Sequence, residues 1–376
     1  MKRVLVISRN FPPLWGGMER LNLHLVDELS RRFDVSLIAP EGANKHIPLS
    51  VSVTQVSLRP LSRFLLLAAY QAVRRAKVWR PDIIIAGSGL AAPLALLAAK
   101  CCGAKSIAYV HGLDLTVPHP IYRALWRPAL RHLSGVIANS KGTAELAQAI
   151  GIDVSKIAVV HPGVVIPDQV DLAARERFRA AHGLTDGPIL LSVGRLTTRK
   201  GVREFVEDVL PKIVERRPDV QFVVIGDEPT DSLYAQGQSV QSIWQVACSK
   251  GLEKNICFLG KRFGQELADA YCAADVHVFP IRHVPNDPEG FGMVAIEAAA
   301  YGLPTVAYAV GGVVDAVAEG RSGRLIEQGN ARAFANAALD QLHEPVDKKI
   351  LRSFAQKFAW ERFGANVCEE LTKYLG

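Results

Sequence analysis

Two carboxylates, Glu289 and Glu297, are spaced so that a single ligand could contact both. Glu289 ends a loop rich in Pro, Asp and Gly, whereas Glu297 lies inside the apolar run at 291–300. A charge inside an apolar run costs free energy unless it is hydrogen-bonded or paired. Glu297 is therefore either a satisfied core carboxylate or a ligand-binding one. If the whole stretch is helical, the two carboxylates lie roughly 12 Å apart along the helix axis and on a similar face.

The residues around these carboxylates favour a nucleotide-sugar as the ligand. Gly290 and Gly292 leave free N–H groups at the start of a helix, where the helix dipole favours phosphate. Carboxylates accept hydrogen bonds from hydroxyl groups. A sugar, a diphosphate and a ribose together need hydroxyl acceptors at both ends and a phosphate site between them. The alternative is a buried α/β helix and strand with an incidental acid.

The segment EGFGMVAIEAAAYGLPTVA, which begins at Glu289, resembles the retaining GT-B glycosyltransferases of family 4, also called glycosyl transferases group 1. The resemblance covers the whole chain and is strongest over 189–312. It implies an α/β fold of the GT-B type, with two doubly wound Rossmann-like domains that face across a cleft. It also implies transfer of a hexose with retention at the anomeric carbon, in which the leaving phosphate helps to deprotonate the acceptor hydroxyl.

The resemblance assigns roles to charged residues that follow strands. Glu289 would bind hydroxyl groups of the donor sugar, and Glu297 would bind the ribose. Arg195 and Lys200, in the loop GRLTTRKG, would hold the diphosphate, because fixed cations stabilise a leaving group that gains charge. His111 would act near the transferred sugar. The alternatives are solvated surface charge for the two cations and a structural role for the histidine. The predicted catalytic residues are His111, Arg195, Lys200 and Glu289.

Further residues are expected to contact the donor or the acceptor. Gly16 and Gly17 follow the first predicted strand and precede a helix, so the backbone there can approach donor phosphates closely. Glu19 and Asp114 are acceptor-side candidates. The predicted donor-binding residues are Gly16, Gly17, Lys261, Arg262, Phe291, Gly292, Met293, Val294 and Glu297.

The sequence lacks the usual ligands for a metal-bound diphosphate. No Asp-x-Asp motif occurs, and the six cysteines form neither a C-x-x-C pair nor a Cys/His cluster with zinc spacing. We therefore expect a metal-independent enzyme without a cofactor, for which the nucleotide-sugar is a substrate. The cysteines are expected to stay reduced in a cytosolic compartment.

Strand-like and helix-like segments alternate along the 376 residues, which predicts parallel sheets covered by helices on both faces. An acceptor-side domain is predicted at 1–165, a linker at 166–187 and a nucleotide-sugar-binding domain at 188–354. A C-terminal helix at about 355–376 is expected to pack back on the first domain. Ser140 is predicted to cap a helix that begins at Lys141.

The predicted activity is transfer of a hexose from a nucleotide-diphosphate sugar to a glycan or lipid-linked acceptor in cell-surface polysaccharide or glycolipid synthesis. UDP-hexose is the favoured donor and GDP-mannose the next. A nucleotide-sugar epimerase of GT-B build and a non-catalytic sugar-binding module are alternatives. An NAD(P)-dependent oxidoreductase is another, because residues 87–92 match the G-x-G-x-x-A fingerprint, although they follow an inner strand. Gly226-Asp227-Glu228 departs from the family's usual Gly-Asp-Gly, and a polar stretch follows at 229–242.

Basic charge is concentrated in the first half of the chain. Residues 1–170 carry 20 Lys and Arg against 10 Asp and Glu, and a helix predicted over 61–79 bears a basic stripe. No nucleic-acid motif accompanies these residues, so no nucleic-acid partner is expected. The stripe is either a solvated face or a surface that rests against anionic lipid headgroups. The second interpretation predicts a cytoplasmic enzyme, peripheral on the inner face of the plasma membrane, with Arg63, Arg74 and Lys77 as membrane contacts.

Overall fold

The computed structural model describes residues 1–171, 173–228 and 237–375. They form two units, each built on its own parallel sheet. The first unit comprises Met1–Gly163 together with the segment that begins at Trp360, and the second comprises Val164–Ala359. Within the described residues, no helix is both long and apolar enough to cross a membrane.

The first unit contains a parallel sheet of seven strands. The strands are β1 (Arg3–Ile7), β2 (Asp34–Pro40), β3 (Ser52–Val56), β4 (Ile83–Ala86), β5 (Lys105–Val110), β6 (Gly135–Ala138) and β7 (Ile157–Val159). Their order across the sheet is β3-β2-β1-β4-β5-β6-β7. The inner strands are continuous apolar runs because helices cover both faces of the sheet.

Helices connect these strands. They are α1 (Gly17–Ser30), α2 (Leu61–Trp79), α3 (Ala92–Cys102), α4 (Leu113–Thr116), α5 (Pro120–Arg131) and α6 (Lys141–Ala149), with 3₁₀ turns at Ala43–Lys45, Gly89–Ala91 and Val154–Lys156. The predicted cap of α6 is confirmed, since the Ser140 Oγ accepts a hydrogen bond from the Thr143 N–H at 3.0 Å.

The second unit contains a parallel sheet of six strands in the order β10-β9-β8-β11-β12-β13. They are β8 (Ile189–Val193), β9 (Gln221–Ile225), β10 (Ile256–Gly260), β11 (Val276–Phe279), β12 (Thr305–Tyr308) and β13 (Gly323–Ile326). The helices are α7 (Ala174–His182), α8 (Val202–Glu204), α9 (Leu210–Val214), α10 (Val240–Ser249), α11 (Gly264–Ala273), α12 (Met293–Ala300), α13 (Val313–Ala316), α14 (Ala331–His343) and α15 (Lys348–Ala355). A π-helical turn, Phe205–Val209, joins α8 to α9, and 3₁₀ turns lie at Thr198–Lys200 and Gln356–Phe358.

The predicted fold class is confirmed, since both sheets are parallel and lie between helices. Some elements were not predicted. β3 lies at a sheet edge and is mostly not buried, so it lacks the apolar run that marks the inner strands. α5 begins at Pro120 and holds Pro128 in its interior, and proline weakens a helical prediction. β13 and α14 were missed as well.

The segment predicted as a linker, 166–187, contains helix α7, which packs against α11 inside the second unit. Arg177 forms a two-pronged ion pair with Asp269, with distances of 2.7 and 2.8 Å. Phe178 is buried in the core of the unit. The high charge of this segment suggested an exposed connection, but part of the charge is paired across the α7–α11 contact.

The last helix, α16 (Trp360–Thr372), belongs to the first unit and packs along α1. The Trp360 ring stacks on His24 with centroids 3.9 Å apart. The Phe363 ring meets the edge of Tyr109 at 6.1 Å. The crossing into the first unit therefore begins at Trp360, whereas the sequence placed it at about 355.

Candidate active site

The two sheets share one topological feature, a reversal of strand order. In the second unit the order reverses between β8 and β11, and in the first unit between β1 and β4. Ligands of doubly wound sheets bind beyond the carboxyl ends of the strands at such a point. The residues predicted from the sequence follow these strands or their neighbours, so each unit has its own candidate site.

The loop after β8 is fixed by its neighbours. The Gly194 N–H donates to the Ile225 carbonyl and the Leu196 N–H to the Asp227 carbonyl, both at 2.9 Å. Gly201 ends the loop at φ +67°, and a Cβ there would lie 2.1 Å from the Pro280 oxygen. Glycine is therefore required where the loops after β8 and β11 touch.

These two loops meet in a buried cluster of charges. The Lys200 Nζ lies 3.0 Å from the Glu289 Oε2, and the Arg199 Nε lies 3.1 Å from the same oxygen. The Arg199 Nη1 also contacts the Asp287 Oδ1 at 2.6 Å. The Lys200 ammonium sits 4.6 Å from the centroid of the Phe279 ring. One carboxylate of Glu289 is thus shared by two cations.

The cluster carries more positive than negative charge. Arg199 and Lys200 are paired with the carboxylates of Glu289 and Asp287. Arg195 is exposed and has no partner among the described residues, so it adds a third cation to two carboxylates. Burial opposes ionisation of Glu289, but Lys200 and the neighbouring arginines outweigh it and hold the pKa of Glu289 below its ordinary value. Burial lowers the pKa of Lys200, and the nearby arginines add to that effect against the attraction of Glu289. An anion bound beside Arg195 would relieve this imbalance, and phosphate suits such donors.

Glu289 does not lie on the helix, so the helical spacing expected from the sequence is wrong. α12 begins at Met293, and Gly292 before it has φ +96°. Glu289 is held in the preceding loop, where its carbonyl accepts the Gly312 N–H at 3.0 Å. A Cβ on Gly312 would lie 2.0 Å from the Gly290 oxygen, so the loop after β12 packs directly on this backbone.

Glu297 is buried on α12 and hydrogen-bonded. Its Oε2 accepts the Tyr271 hydroxyl of α11 at 2.9 Å. The Tyr271 ring stacks on Tyr301 with centroids 5.4 Å apart. Tyr271 was not predicted, because it precedes Glu297 by 26 residues and no motif links the two. Met293 and Val294, predicted to bind the donor, form the first turn of α12, where backbone N–H groups lack intrahelical acceptors.

The loop after β10 carries two more of the predicted donor residues, Lys261 and Arg262. Lys261 is exposed, and its carbonyl accepts a hydrogen bond from the Arg262 Nη1 at 2.9 Å. The next residue, Phe263, is an exposed aromatic residue that the sequence reasoning did not single out. Most of the predicted polar stretch at 229–242 lies outside the described residues, and α10 begins within its described end.

In the first unit, the loop after β1 is closed by Glu19. Its Oε1 accepts the Asn10 side-chain amide at 2.9 Å. A Cβ on Gly16 would lie 2.4 Å from the Glu19 Oε2, so the carboxylate fills the space beside this glycine. Asn22 donates to the carbonyls of both Asn10 and Gly87 at 3.0 Å and ties the loop to β4. Asn10 and Asn22 were not predicted.

His111 is buried at the end of β5, and its ring orientation is fixed. The His111 Nε2 lies 3.0 Å from the Gly87 carbonyl, which can only accept, so Nε2 carries the proton. In the neutral ring Nδ1 is then the acceptor. The Asp114 carboxylate accepts the N–H groups of His111 and Gly89 at 2.9 and 2.7 Å. Asp114, predicted on the acceptor side, thus holds together the loops after β4 and β5.

No group of three or more His, Cys, Asp or Glu in the described part of the chain is placed to hold a metal ion.

Two family models match the chain. Residues 15–166 match the model described as Glycosyltransferase Family 4, and residues 187–344 match the one described as Glycosyl transferases group 1. The first match begins at residue 15, near the end of the loop after β1, and the second includes the charge cluster.

Relatives and solved structures resemble the chain over most of its length. It is 28% identical to a GDP-mannose-dependent alpha-(1-6)-phosphatidylinositol monomannoside mannosyltransferase of Mycolicibacterium smegmatis, over 98% of both chains. It is 32% identical to a D-inositol 3-phosphate glycosyltransferase of Stackebrandtia nassauensis, over 77% of this chain and 68% of that one. Its fold is similar to that of HepE from Anabaena, solved with UDP-glucose, at a TM-score of 0.78 and 20% identity, over 99% of this chain and 100% of that one.

We predict that Glu289→Gln lowers the free energy of unfolding at pH 7 by about 3–5 kcal/mol, because it leaves buried cations without their shared carboxylate. The folded-state pKa of Glu289 is lowered, so its contribution is present above its ordinary pKa of 4.5 and is lost as the pH falls through the lowered value. Urea unfolding of both proteins should show a constant difference from pH 7 to about 5 that shrinks at lower pH. Glu253→Gln, at an exposed position, is the control. Equal stability of Glu289→Gln and the parent at pH 7 would contradict the prediction.

Proposed function

Since the chain belongs to the glycosyltransferases of family 4, which use nucleotide-sugar donors, we propose that it transfers a hexose with retention of anomeric configuration to a lipid-linked acceptor. The observation that carries the proposal is the charge cluster at the end of β8, in which Arg199 and Lys200 are paired with buried carboxylates and the exposed Arg195 adds a further positive charge. A diphosphate is an anion that would balance this additional cation. The oxidoreductase and epimerase alternatives find no support among the relatives, which are named as glycosyltransferases.

In this proposal the cluster performs the electrostatic part of the reaction. The bond between the anomeric carbon and the donor phosphate oxygen breaks, and negative charge develops on that oxygen. Arg199 and Lys200 stabilise the charge because their ion pairs hold them in place and they are largely shielded from water, and the exposed Arg195 adds a third cation. The acceptor oxygen bonds to the anomeric carbon on the same face, and its proton passes to the departing phosphate. Side-chain cations take the place of a metal, so the reaction is proposed to be metal-independent.

Glu289 and His111 are proposed to orient the sugar. The ion pairs to Lys200 and Arg199 keep Glu289 ionised, so it acts as a hydrogen-bond acceptor for donor hydroxyls. His111 uses Nε2 on the Gly87 carbonyl, which leaves Nδ1 to accept from a hydroxyl group of the sugar or acceptor. Neighbouring contacts thus fix the ionised form of Glu289 and the tautomer of His111 before a ligand binds.

The donor is proposed to be a nucleotide-diphosphate hexose. The resemblance to the family favoured UDP-hexose, whereas the relative that aligns over 98% of both chains is named as GDP-mannose-dependent. We therefore place GDP-mannose beside UDP-hexose as the leading donors. The same relative is named for a phosphatidylinositol monomannoside acceptor, which supports a lipid-linked acceptor here.

The test is a panel of UDP-, GDP- and ADP-hexoses, first by thermal shift and then by product analysis with lipid and glycan acceptors. One donor should stabilise the protein, and its hexose should appear in the product with the anomeric configuration of the donor. Turnover should be unchanged by EDTA. An inverted product would overturn the retaining mechanism, and loss of activity in EDTA that added metal restores would overturn metal independence. Conversion of the donor sugar without any acceptor would favour the epimerase.

Glu297→Ala is expected to raise the donor KM about 10- to 100-fold, because a charged hydrogen bond to the ribose contributes about 1.5–3 kcal/mol. Tyr271→Phe should raise it less, since the carboxylate remains but loses the hydroxyl that orients it. Steady-state kinetics with varied donor concentration measures both effects. Glu253→Ala, at an exposed position, is the control. An unchanged donor KM in Glu297→Ala would remove the ribose assignment.

We further propose that the enzyme is peripheral on the inner face of the plasma membrane and meets it through α2. Phe64 and three of the four alanines of α2 are buried, whereas Arg63, Arg74 and Lys77 are exposed. Large apolar residues are exposed as well, with Leu66 at 73% and Tyr70 at 63%. A surface that combines cations with apolar side chains suits the lipid headgroup region.

Replacement of Arg63, Arg74 and Lys77 by Ser should weaken binding to anionic vesicles, because each basic residue contributes about 1 kcal/mol near such a surface. Donor binding should stay unchanged. Co-sedimentation at rising salt measures the first effect, and thermal shift with donor the second. The matched control removes three exposed cations of the second unit, Lys250, Lys254 and Arg321. If the parent protein does not prefer anionic over neutral vesicles at low salt, the membrane proposal is wrong.

A further inference from the structure

Helix α5 carries a row of three arginines that no part of the expected donor chemistry uses. Arg123, Arg127 and Arg131 follow one another at four-residue intervals. Such residues lie on one side of a helix, about 6 Å apart along its axis. We call them the α5 arginine ridge. Together with prolines 118, 120 and 128 and Ala124, they line a shallow cavity of about 460 Å³.

The α5 arginine ridge has no carboxylate to balance it. Residues 115–144 contain no Asp or Glu, and among the described residues no carboxylate is paired with any of the three arginines. The Arg127 Nε is buried without a hydrogen-bond partner. Burial lowers the pKa of Arg127, and the charges of Arg123 and Arg131 lower it further. Like charges held this close repel each other, so an anion between them would stabilise the arrangement.

The helix that carries the ridge is held rigidly. The Trp126 indole N–H donates to the Leu90 carbonyl at 2.8 Å. The Tyr122 hydroxyl donates to the Asp114 carbonyl at 2.6 Å, and the two aromatic rings stack with centroids 5.2 Å apart. α5 is therefore tied to the loops that follow β4 and β5. The backbone that carries the three arginines is thus fixed in place, which lowers the ordering cost of binding an anion.

The surface beside the ridge is apolar. From the arginines it continues across Ala124 to Ile121 and Leu125, each of which is 59% exposed. A free phosphate ion would leave these two side chains in water. A phosphate joined to an acyl or isoprenoid chain would contact the arginines with its charge and the apolar pair with its chain.

The sequence around α5 is strongly basic, which favours binding of an anionic ligand. Between Glu41 and Glu145 the chain carries thirteen Lys and Arg, but only two acidic residues, Asp82 and Asp114. Asp114 is occupied by the N–H groups of His111 and Gly89. The long-range field around α5 is therefore positive, which raises the local concentration of anions.

We propose that the α5 arginine ridge is a binding site for the phosphate group of a lipid, distinct from the residues expected to hold the donor diphosphate. Guanidinium groups bind phosphate oxygens through paired N–H donors, so the site recognises the group and not only its charge. A phosphomonoester exposes more oxygens to such donors than a phosphodiester does. Binding at this site does not depend on the proposed sugar transfer.

The test compares vesicles of phosphatidylcholine that contain either phosphatidic acid, a phosphomonoester, or phosphatidylserine, a phosphodiester, at matched electrophoretic mobility. The parent protein should bind the phosphatidic acid vesicles at least about fivefold more tightly, since the phosphomonoester accepts an additional charge-assisted hydrogen bond. Arg123→Lys with Arg127→Lys keeps the charge but loses the paired donors. This variant should lose the preference and still bind both vesicles. Arg131 is left in place because its Nε donates to the Ile150 carbonyl at 2.6 Å.

The matched control is Arg63→Lys with Arg74→Lys on α2, which should keep the preference. An unchanged melting temperature shows that each variant is folded. Equal binding of both vesicles by the parent protein would overturn the phosphate site and leave only surface charge. If inorganic pyrophosphate in solution binds as tightly as the phosphatidic acid vesicles and displaces them, the lipid assignment is wrong. A protein that prefers phosphatidic acid but transfers no sugar would refute the proposed function and leave this site in place.

Discussion

A single buried carboxylate shared by two buried cations is the interaction on which the second unit's site depends. Glu289 is held by Lys200 and Arg199, and these residues come from the loops after β11 and β8. The loop after β12 reaches the same point through the hydrogen bond from Gly312 to the Glu289 carbonyl. A side chain would not fit at Gly201, where the loop after β8 touches the loop after β11, or at Gly312, where the loop after β12 touches the backbone beside Glu289. Ion pairs and close backbone packing therefore both hold these loops in the same positions, and Arg195 remains exposed.

The candidate site of the first unit is held by hydrogen bonds. The Gly87 carbonyl accepts hydrogen bonds from Asn22 and from the His111 ring, and Asp114 accepts two backbone N–H groups. These contacts join the loops after β1, β4 and β5. This hydrogen-bond network sets the orientation and tautomer of a histidine, whereas the cluster of ion pairs in the second unit sets an electrostatic potential. The two sites therefore differ in the chemistry that they can supply.

The alternation of apolar runs and helical periods was enough to predict two parallel sheets, and strand-end motifs located Arg195, Lys200 and Glu289. The contacts among them were not predictable. Arg199 turns inward because residues 198–200 form a 3₁₀ turn, which the sequence did not indicate. The predicted helical spacing between Glu289 and Glu297 is wrong because Gly292 has a positive φ and α12 begins only at Met293. Tyr271 on α11 contacts Glu297 on α12 across 26 residues of sequence, and such long-range pairs leave no local pattern.

The crossing of the chain at Trp360 has a consequence for synthesis on the ribosome. The seven strands of the first unit emerge early, but α16, which packs along α1, follows only after Val164–Ala359 has been made. Until then, the surfaces of His24 and Tyr109 that Trp360 and Phe363 cover have no partner. The nascent first unit therefore lacks α16 while the whole of the second unit is translated. Completion of the amino-terminal half is thus among the last folding events, and a chaperone that shields apolar surface would act on it during this interval.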